Sequence, residues 1–294
     1  MISNLIKNKI KELRIEYDTL KLGKESLITL IDEAELPESV YNSNAIENST
    51  LTLKETEKIL LDLELSRNIS LKEVYEAKNL ARVMEYIRNK SQEKDIDKEL
   101  ILLLHQMLIT NIDEKIAGRF RQSGEYVRVG SHIALPPEKI EESINNVLIE
   151  YKNNYSSYFL EKIAEFHLDF ESIHPFNDGN GRIGRIIINY QLARLGFPFI
   201  IIRNKGKEKY YKAFNDYNST NNRKTMEKVI VDALLESFHK RITYLKGEKI
   251  IKLTEYAKIH KKSSSSLLNS AKRQNILAFR EKGIWKIGDS FSFK

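Results

Sequence analysis

Apolar residues recur three and four apart over residues 3–33 and 53–63, the spacing of amphipathic helices. Pro37 interrupts this pattern, and 38-ESVYNSNAIENS-49 follows as a short polar helix. Helical spacing returns over 71–91 and 97–111 and changes near residue 118. In 118-GRFRQSGEYVRVGSHIALPP-137, Tyr126 and Arg128 alternate with Val127 and Val129. Gly130-Ser131 fits a two-residue hairpin turn, and Pro136-Pro137 stops the strand and starts a helix. Residues 138–153 and 160–173 are predicted helices, the second with Ile163, Phe166, Phe170 and Ile173 on one apolar face. A strongly apolar helix runs from Arg182 until Gly196 and Pro198 end it, and 207–220 and 225–246 predict two more. The last segment reads differently: LTEYAKIHKKSSSSLLNSAKRQ predicts helix, turn, helix, and NILAFREKGIWKIGDSFSFK a short hairpin holding the single Trp285. The expectation is an all-α chain with one β-hairpin and a separate small unit after a boundary near Gly247.

Composition supports a helical, reducing-compartment protein. The 294 residues are 41% hydrophobic, enough for one large domain or two modest ones, with 5 Pro and 12 Gly. Without cysteine, disulfides, thiolate nucleophiles and Cys-ligated zinc are excluded. The N-terminus has the charges of an amphipathic helix rather than a secretory leader, and no uncharged apolar run is long enough to span a bilayer. The expectation is a soluble cytoplasmic protein with no membrane partner. The net charge of +7 resides in residues 251–294, which carry ten Lys/Arg and three Asp/Glu. A neutral body with a basic end points to nucleic acid or another acidic partner, or to a solvated lysine-rich terminus.

The densest chemistry lies in 174-HPFNDGNGRIGR-185, between two apolar helices. Where a helix begins at Asp178-Gly179-Asn180-Gly181, unpaired N–H groups and the positive end of the helix dipole face the turn. Glycine lets an anion approach such amides closely. Arg182 and Arg185, three apart, share a face and add two guanidinium clamps. Asp178 is a hard oxygen ligand suited to a partly hydrated Mg²⁺ on nucleotide phosphates. His174 can take a proton near neutral pH, and Phe176 anchors the loop in the core. No Walker or protein-kinase motif is present. Together these residues suggest transfer of a nucleotide phosphate group.

HPFNDGNGRIGR resembles, at every fixed position, the HxFx[DE]GNGRxxR signature of the Fic family, whose members mostly move AMP from ATP to a hydroxyl of a target protein. The resemblance covers about residues 38–245. It implies a Fic-type helical bundle with a flap at 118–137, in which 126-YVRVGSH-132 covers the nucleotide and pairs with the target segment. It implies His174 as the catalytic base and Asp178 as the Mg²⁺ ligand. ATP contacts would come from Val129, Gly130, Ser131 and His132 of the flap and from Gly179, Asn180, Gly181, Arg182, Ile183, Gly184 and Arg185 of the motif. Tyr210, Tyr211 and Asn218 would hold adenine and ribose. 43-SNAIEN-48 is similar to the family's inhibitory pattern [ST]xxxE[GN], which implies that Ser43 and Glu47 share a helix face and that Glu47 pairs with Arg185 in place of the γ-phosphate.

The resemblance also implies a domain order: 1–110 with the inhibitory helix at about 38–49, a core over 111–246 with the motif at 174–185, and a winged-helix-like segment over 250–294. The partners implied are ATP, a target protein with a Ser, Thr or Tyr hydroxyl, the protein itself, and a second copy in a homodimer. Relatives that transfer phosphate, phosphocholine or UMP, or that remove AMP with the help of the inhibitory glutamate, are the alternatives. The intact Gly179-Asn180-Gly181-Arg182 favours AMP over phosphate. A different class of reading is a DNA-binding regulator acting through 250–294, with 271-AKRQ-274 on its recognition helix. Of the remaining histidines, His105 and His239 read as helix-surface residues, His167 as a bonded core residue and His132 as a flap residue lining the cleft; no zinc spacing is present.

Overall fold

The computed structural model describes residues 1–65, 67–129 and 132–292, with the backbone alone at His132. Helix α1 (Asn4–Lys21) starts at a Ser3 cap. It ends before Gly23, whose φ of 72° is the left-handed conformation that terminates helices. The expected single helix over 3–33 is therefore two. Helix α2 (Glu25–Ile46) then runs through Pro37, where a break was expected. A proline within a helix loses one main-chain hydrogen bond and crowds the preceding turn. Here the flanking turns are held from outside. Ile31, Val40 and Ile46 are buried, and the buried guanidinium of Arg241 pairs with Asp32 and, at 2.7 Å, with Glu35. The polar segment 38–49 is thus the end of a long, anchored helix.

Helices α3 (Leu53–Leu60), α4 (Leu71–Lys90) and α5 (Lys98–Ile109) follow, α3 behind a Thr52–Glu55 capping box. The flap strands β1 (Arg128–Val129) and β2 (His132–Ile133) are antiparallel, with Val129 opposite His132. Gly130 and Ser131, expected to form the turn, lie outside the described residues. Helices α6 (Ile140–Asn153), α7 (Phe159–Ile173), α8 (Asn180–Arg194), α9 (Lys207–Thr220) and α10 (Lys224–Leu245) complete the body. The centre is α8. Its Ile183, Ile186 and Ile187 pack in one core with α4, α5 and α6, while Ile188 and Leu192 pack in a second with α1, α7 and α10. A helix buried all round needs no polar face, which explains its continuous apolar run.

Beyond α10 come β3 (Ile250–Lys252), α11 (Leu253–Ile259), α12 (Ser264–Lys272), β4 (Ala278–Glu281) and β5 (Ile284–Gly288). The strands form an antiparallel sheet in the order β3-β5-β4, over a small core that includes Leu253, Tyr256, Leu267 and Ile287. The β4–β5 turn, with Lys282 at φ 50° and Gly283 at φ 77°, points at α2. Its two amides donate to the Glu38 carboxylate at 3.0 and 3.1 Å, and Arg203 reaches the same carboxylate at 2.5 Å. Nearby, Glu236 accepts from Arg203 at 2.9 Å and Arg280 at 2.5 Å, and Lys282 pairs with Glu57 at 2.8 Å. The hairpin turn therefore grips the helix that carries Ser43.

Two histidines differ from expectation. His105 and His239 are buried, not on helix surfaces. α10 is enclosed by α1, α7, α9 and β4, so His239 has no solvent side. The α5 face bearing His105 is covered by the motif loop.

Replacing a buried, paired carboxylate leaves its partners desolvated and unmatched, at about 3–5 kcal/mol. Glu38→Ala is therefore expected to lower the thermal midpoint by several degrees. A midpoint equal to that of the unsubstituted protein in differential scanning calorimetry would contradict the clamp.

Candidate active site

The base of the site is the joint between α7 and α8. His174 caps α7 in the left-handed conformation (φ 51°, ψ 64°), and its N–H bonds Phe170 O at 2.9 Å. Its carbonyl accepts from Arg121 Nε at 2.9 Å. Arg121 is itself buried and also donates to Glu125 O and Leu135 O, so one guanidinium ties the histidine to the base of the flap. Phe176 is buried as expected and stacks on His105 with centroids 3.7 Å apart. His105 Nδ1 accepts from Gly118 N–H at 3.0 Å, which leaves Nε2–H to donate to Asp178 O at 3.1 Å. Burial lowers this imidazole to about 4, so it remains a neutral brace.

The side chain of Asn180 is turned inward. It bonds both the N–H and the carbonyl of Phe176 at 2.8 Å, closing the loop on itself. What Asn180 offers a ligand is main chain at the start of α8. Gly179 has φ 84°, a conformation that disfavours other residues.

The two arginines part company rather than share a face. Arg182 turns toward α4, pairing with Glu76 at 3.1 Å and with Asp178 at 2.9 Å. Burial works against the Asp178 charge, but Arg182, the Gly179 amide and Lys72 hold the carboxyl below its ordinary range. Arg185 turns toward α2 and α9. Its Nε donates to Ser43 Oγ at 3.0 Å and its Nη2 to Ser43 O at 2.8 Å. Nη2 also pairs with Glu47 Oε1 at 2.8 Å. Burial opposes its charge, yet Tyr210 and Glu47 more than offset this and raise the guanidinium above its ordinary range.

The Glu47 carboxylate rests on the first turn of α8. A methyl group at Gly181 would stand 2.2 Å from Glu47 Oε1, so glycine there leaves the space this oxygen occupies. Glu47 is the C-cap of α2, and Asn48 after it has φ 65°. Asn tolerates that conformation better than most residues, which gives the Glu-Asn pair a physical basis. An anion thus already sits on the α8 N-terminus with a guanidinium beside it, the arrangement a phosphate would take.

Around it lies a cleft of about 710 Å³, lined by Glu47, His174, Gly181, Arg185, Tyr211 and Asn218, with Arg128 and Val129 from the flap. Tyr211 donates to Ile46 O at 2.7 Å, and Asn218 accepts from Ser172 Oγ at 3.2 Å. Tyr210 is largely buried: its hydroxyl accepts from Arg185 at 3.4 Å and shares a 2.7 Å bond with His167 Nε2. It is therefore a support for Arg185 more than an open stacking face. His167 is the bonded core residue expected. Ile183 lies in the core, and Gly184 admits the His167 ring, which would be 2.6 Å from a methyl there. The flap residues Gly130 and Ser131 and the His132 side chain lie outside the described residues.

Sequence reasoning missed Arg121, the bracing role of His105, and Glu171. Glu171 is one turn before His174, with Oε2 3.7 Å from His174 Nδ1. Burial, and then the Glu47 charge, push its carboxyl up to about 8 against the pull of Arg185. Its spacing, four after His167 and three before His174, was the available signal.

Among the described residues no group of three or more side chains could hold a metal. Asp178 Oδ1 is taken by Gly179 N–H and Arg182, and Oδ2 lies 3.8 Å from Lys72. One carboxylate oxygen fits a Mg²⁺ that keeps its waters and arrives with phosphate oxygens, and does not make a protein-only cage.

Residues 95–192 match the Fic/DOC family. The Protein adenylyltransferase Fic of Nematostella vectensis is 32% identical over 217 residues, 72% of this chain and 50% of that protein. Its counterpart in Aedes aegypti is 31% identical over 176 residues, 58% of this chain and 35% of that one. The chain spans about half or less of the length of these curated relatives. A Fic domain containing signaling protein from Bacteroides thetaiotaomicron shares 28% identity at a TM-score of 0.72, over 82% of this chain and 97% of that one. A Fic family protein from Desulfovibrio desulfuricans, 19% identical, shares the fold along 100% of this chain and 98% of that one at a TM-score of 0.68. With its signature joint between α7 and α8, this chain carries a Fic/DOC domain and belongs to that family.

Proposed function

We propose that this protein is a protein adenylyltransferase, moving AMP from ATP to a Ser, Thr or Tyr hydroxyl of a target protein, and that Glu47 holds it in an inhibited state. The observation that carries this reading is the Glu47 carboxylate on Arg185 over Gly181, beside His174. A site that accommodates its own carboxylate at a helix N-terminus suits an anionic ligand, and a cleft of about 710 Å³ has room for a nucleotide. The curated relatives named protein adenylyltransferase support the choice of AMP.

In this reading the target hydroxyl enters beneath the flap and His174 Nε2 takes its proton. The oxygen attacks the α-phosphorus, and the bond from that phosphorus to pyrophosphate breaks. The protein contributes position and charge. Main-chain N–H groups at Asn180 and Gly181 would face the phosphates, while the Gly179 N–H holds Asp178. Arg185, once Glu47 withdraws, receives the γ-phosphate in the carboxylate's place. Ser43 keeps Arg185 aimed through two hydrogen bonds. A Mg²⁺ on Asp178 would supply charge neutralisation for the phosphates, and Arg182 keeps that aspartate ionised and oriented. Tyr211 and Asn218 line the end of the cleft suited to adenine and ribose.

Residues 250–294 are read as a winged-helix unit used for docking. What favours docking over DNA readout is the hairpin turn, whose amides and Lys282 are already bonded to Glu38 and Glu57. With no cysteine in the chain and no described helix long and apolar enough to cross a membrane, the cytoplasm is the proposed compartment.

With ATP labelled at the α-phosphate, Glu47→Gly is expected to raise incorporation into protein by about 10- to 100-fold, the scale of one charge-assisted bond. His174→Ala in that background should lower it by about 10²- to 10⁴-fold, the scale of a general base. ATP labelled at the γ-phosphate should leave no label. Incorporation unchanged by Glu47→Gly across ATP concentrations would end the inhibitory role, and transfer from γ-labelled ATP would end the adenylyl assignment.

A further inference from the structure

The reaction just described leaves Glu171 unused, although it stands one helical turn before the base. Its Oε2 is 3.7 Å from His174 Nδ1. Its Oε1 is buried between α7 and α8 with no hydrogen-bond partner, 2.7 Å from where a methyl at Gly184 would stand. The His174 main chain is held at both ends, by Phe170 O on its N–H and by Arg121 on its carbonyl.

A neutral imidazole carries one ring proton. To act as a base through Nε2, it must carry that proton on Nδ1. We propose that Glu171 is the positioning residue for this tautomer: its carboxylate accepts Nδ1–H of His174 and leaves Nε2 unprotonated toward the target hydroxyl. The use of that tautomer rests on the adenylyl-transfer reading; the tautomer itself is measurable without it. From 3.7 Å, an approach of about 0.8 Å gives a hydrogen bond, and catalytic contacts tighten by such amounts as a site is loaded.

The groups facing Glu171 decide when it can accept. They are Glu47 from α2, Arg185 from α8, Tyr210 and Tyr211 from α9, and His167 and His174 on its own segment. With Glu47 seated, burial and that like charge push the Glu171 carboxyl up to about 8. Below that pH it holds its own proton, so its O–H competes to donate to Nδ1 and its remaining carbonyl oxygen is a weaker acceptor for Nδ1–H than the carboxylate. Removing Glu47 removes the like charge and leaves Arg185 facing Glu171, so the carboxyl falls and ionises at lower pH. Glu47 then restrains the site twice, at the phosphate position and at the base.

The test uses the whole 294-residue chain carrying Glu47→Gly, with ¹⁵N-labelled histidine, read by long-range NMR near neutral pH, the His174 ring assigned by its loss in His174→Ala. The expected result is a protonated Nδ1 and a bare Nε2. Adding Glu171→Leu should shift the ring toward Nε2–H and lower kcat for AMP transfer by about 10- to 100-fold with KM for ATP unchanged. Glu171→Gln, whose amide oxygen can still accept, should keep the tautomer, recover part of kcat and remove the Glu171 step from the acid limb of the pH profile. An identical tautomer with and without Glu171→Leu overturns the proposal. If the Leu variant does not fold, an acid limb unchanged by Glu171→Gln overturns it equally. A tautomer that switches as stated in a protein that transfers no AMP sinks the adenylyl-transfer reading and leaves the Glu171 assignment standing.

Discussion

The ion pair between Glu47 and Arg185, made across the first turn of α8, is the contact around which the rest is arranged. It needs glycine at 181 to make room, Ser43 to aim the guanidinium, and Tyr210 to support it from below. Arg185 is buried while Glu47 reaches it from the exposed side, so the guanidinium is costly to leave unpaired and easy to hand to another anion of matching shape. A phosphate presents that match. In the proposed reading, the contact that holds the resting protein also marks where the nucleotide's charge goes.

That pair holds only if α2 is held, because Glu47 is its last turn. The helix is anchored along its length: Arg241 on Asp32 and Glu35, the β4–β5 turn and Arg203 on Glu38, Tyr211 on the carbonyl of Ile46. These anchors also carry the helix through Pro37. Asn48 then turns the chain left-handed and stops it, so that the Glu47 side chain lies over α8. The C-terminal unit, far along the chain, is part of this scaffold through two backbone amides and one lysine.

Much of the site was legible because one short motif concentrates residues whose types have few alternative uses. The three glycines of 179–184 were visible as a group, but their separate reasons were not: a left-handed backbone at 179, a carboxylate at 181, a histidine ring at 184. Arg182 and Arg185 looked equivalent by spacing and differ only through their partners on α4 and α2, which no local pattern encodes. The resemblance implied Asn180 as an ATP contact, yet its side chain closes its own loop. His105 and His239 read as surface residues since one polar group on a helix usually faces water; the loop over α5 and the strand over α10 come from distant sequence. Arg121 sits in flap sequence and only the fold brings it to His174, whereas Glu171 lies one helical turn before His174 and its spacing was there to be read.

Competition between Glu47 and the terminal phosphate is the central claim, and nucleotide binding reads it without any turnover. ADP lacks the γ-phosphate that would displace the carboxylate, so it serves as the internal control. Titration calorimetry of ADP and ATP against the wild-type and Glu47→Gly proteins, both carrying His174→Ala, separates the two ligands. Removing Glu47 is predicted to tighten ATP by about 10-fold or more and to leave ADP nearly unchanged, since only ATP gains the vacated Arg185. Equal gains for ADP and ATP, or no gain for either, would contradict the account.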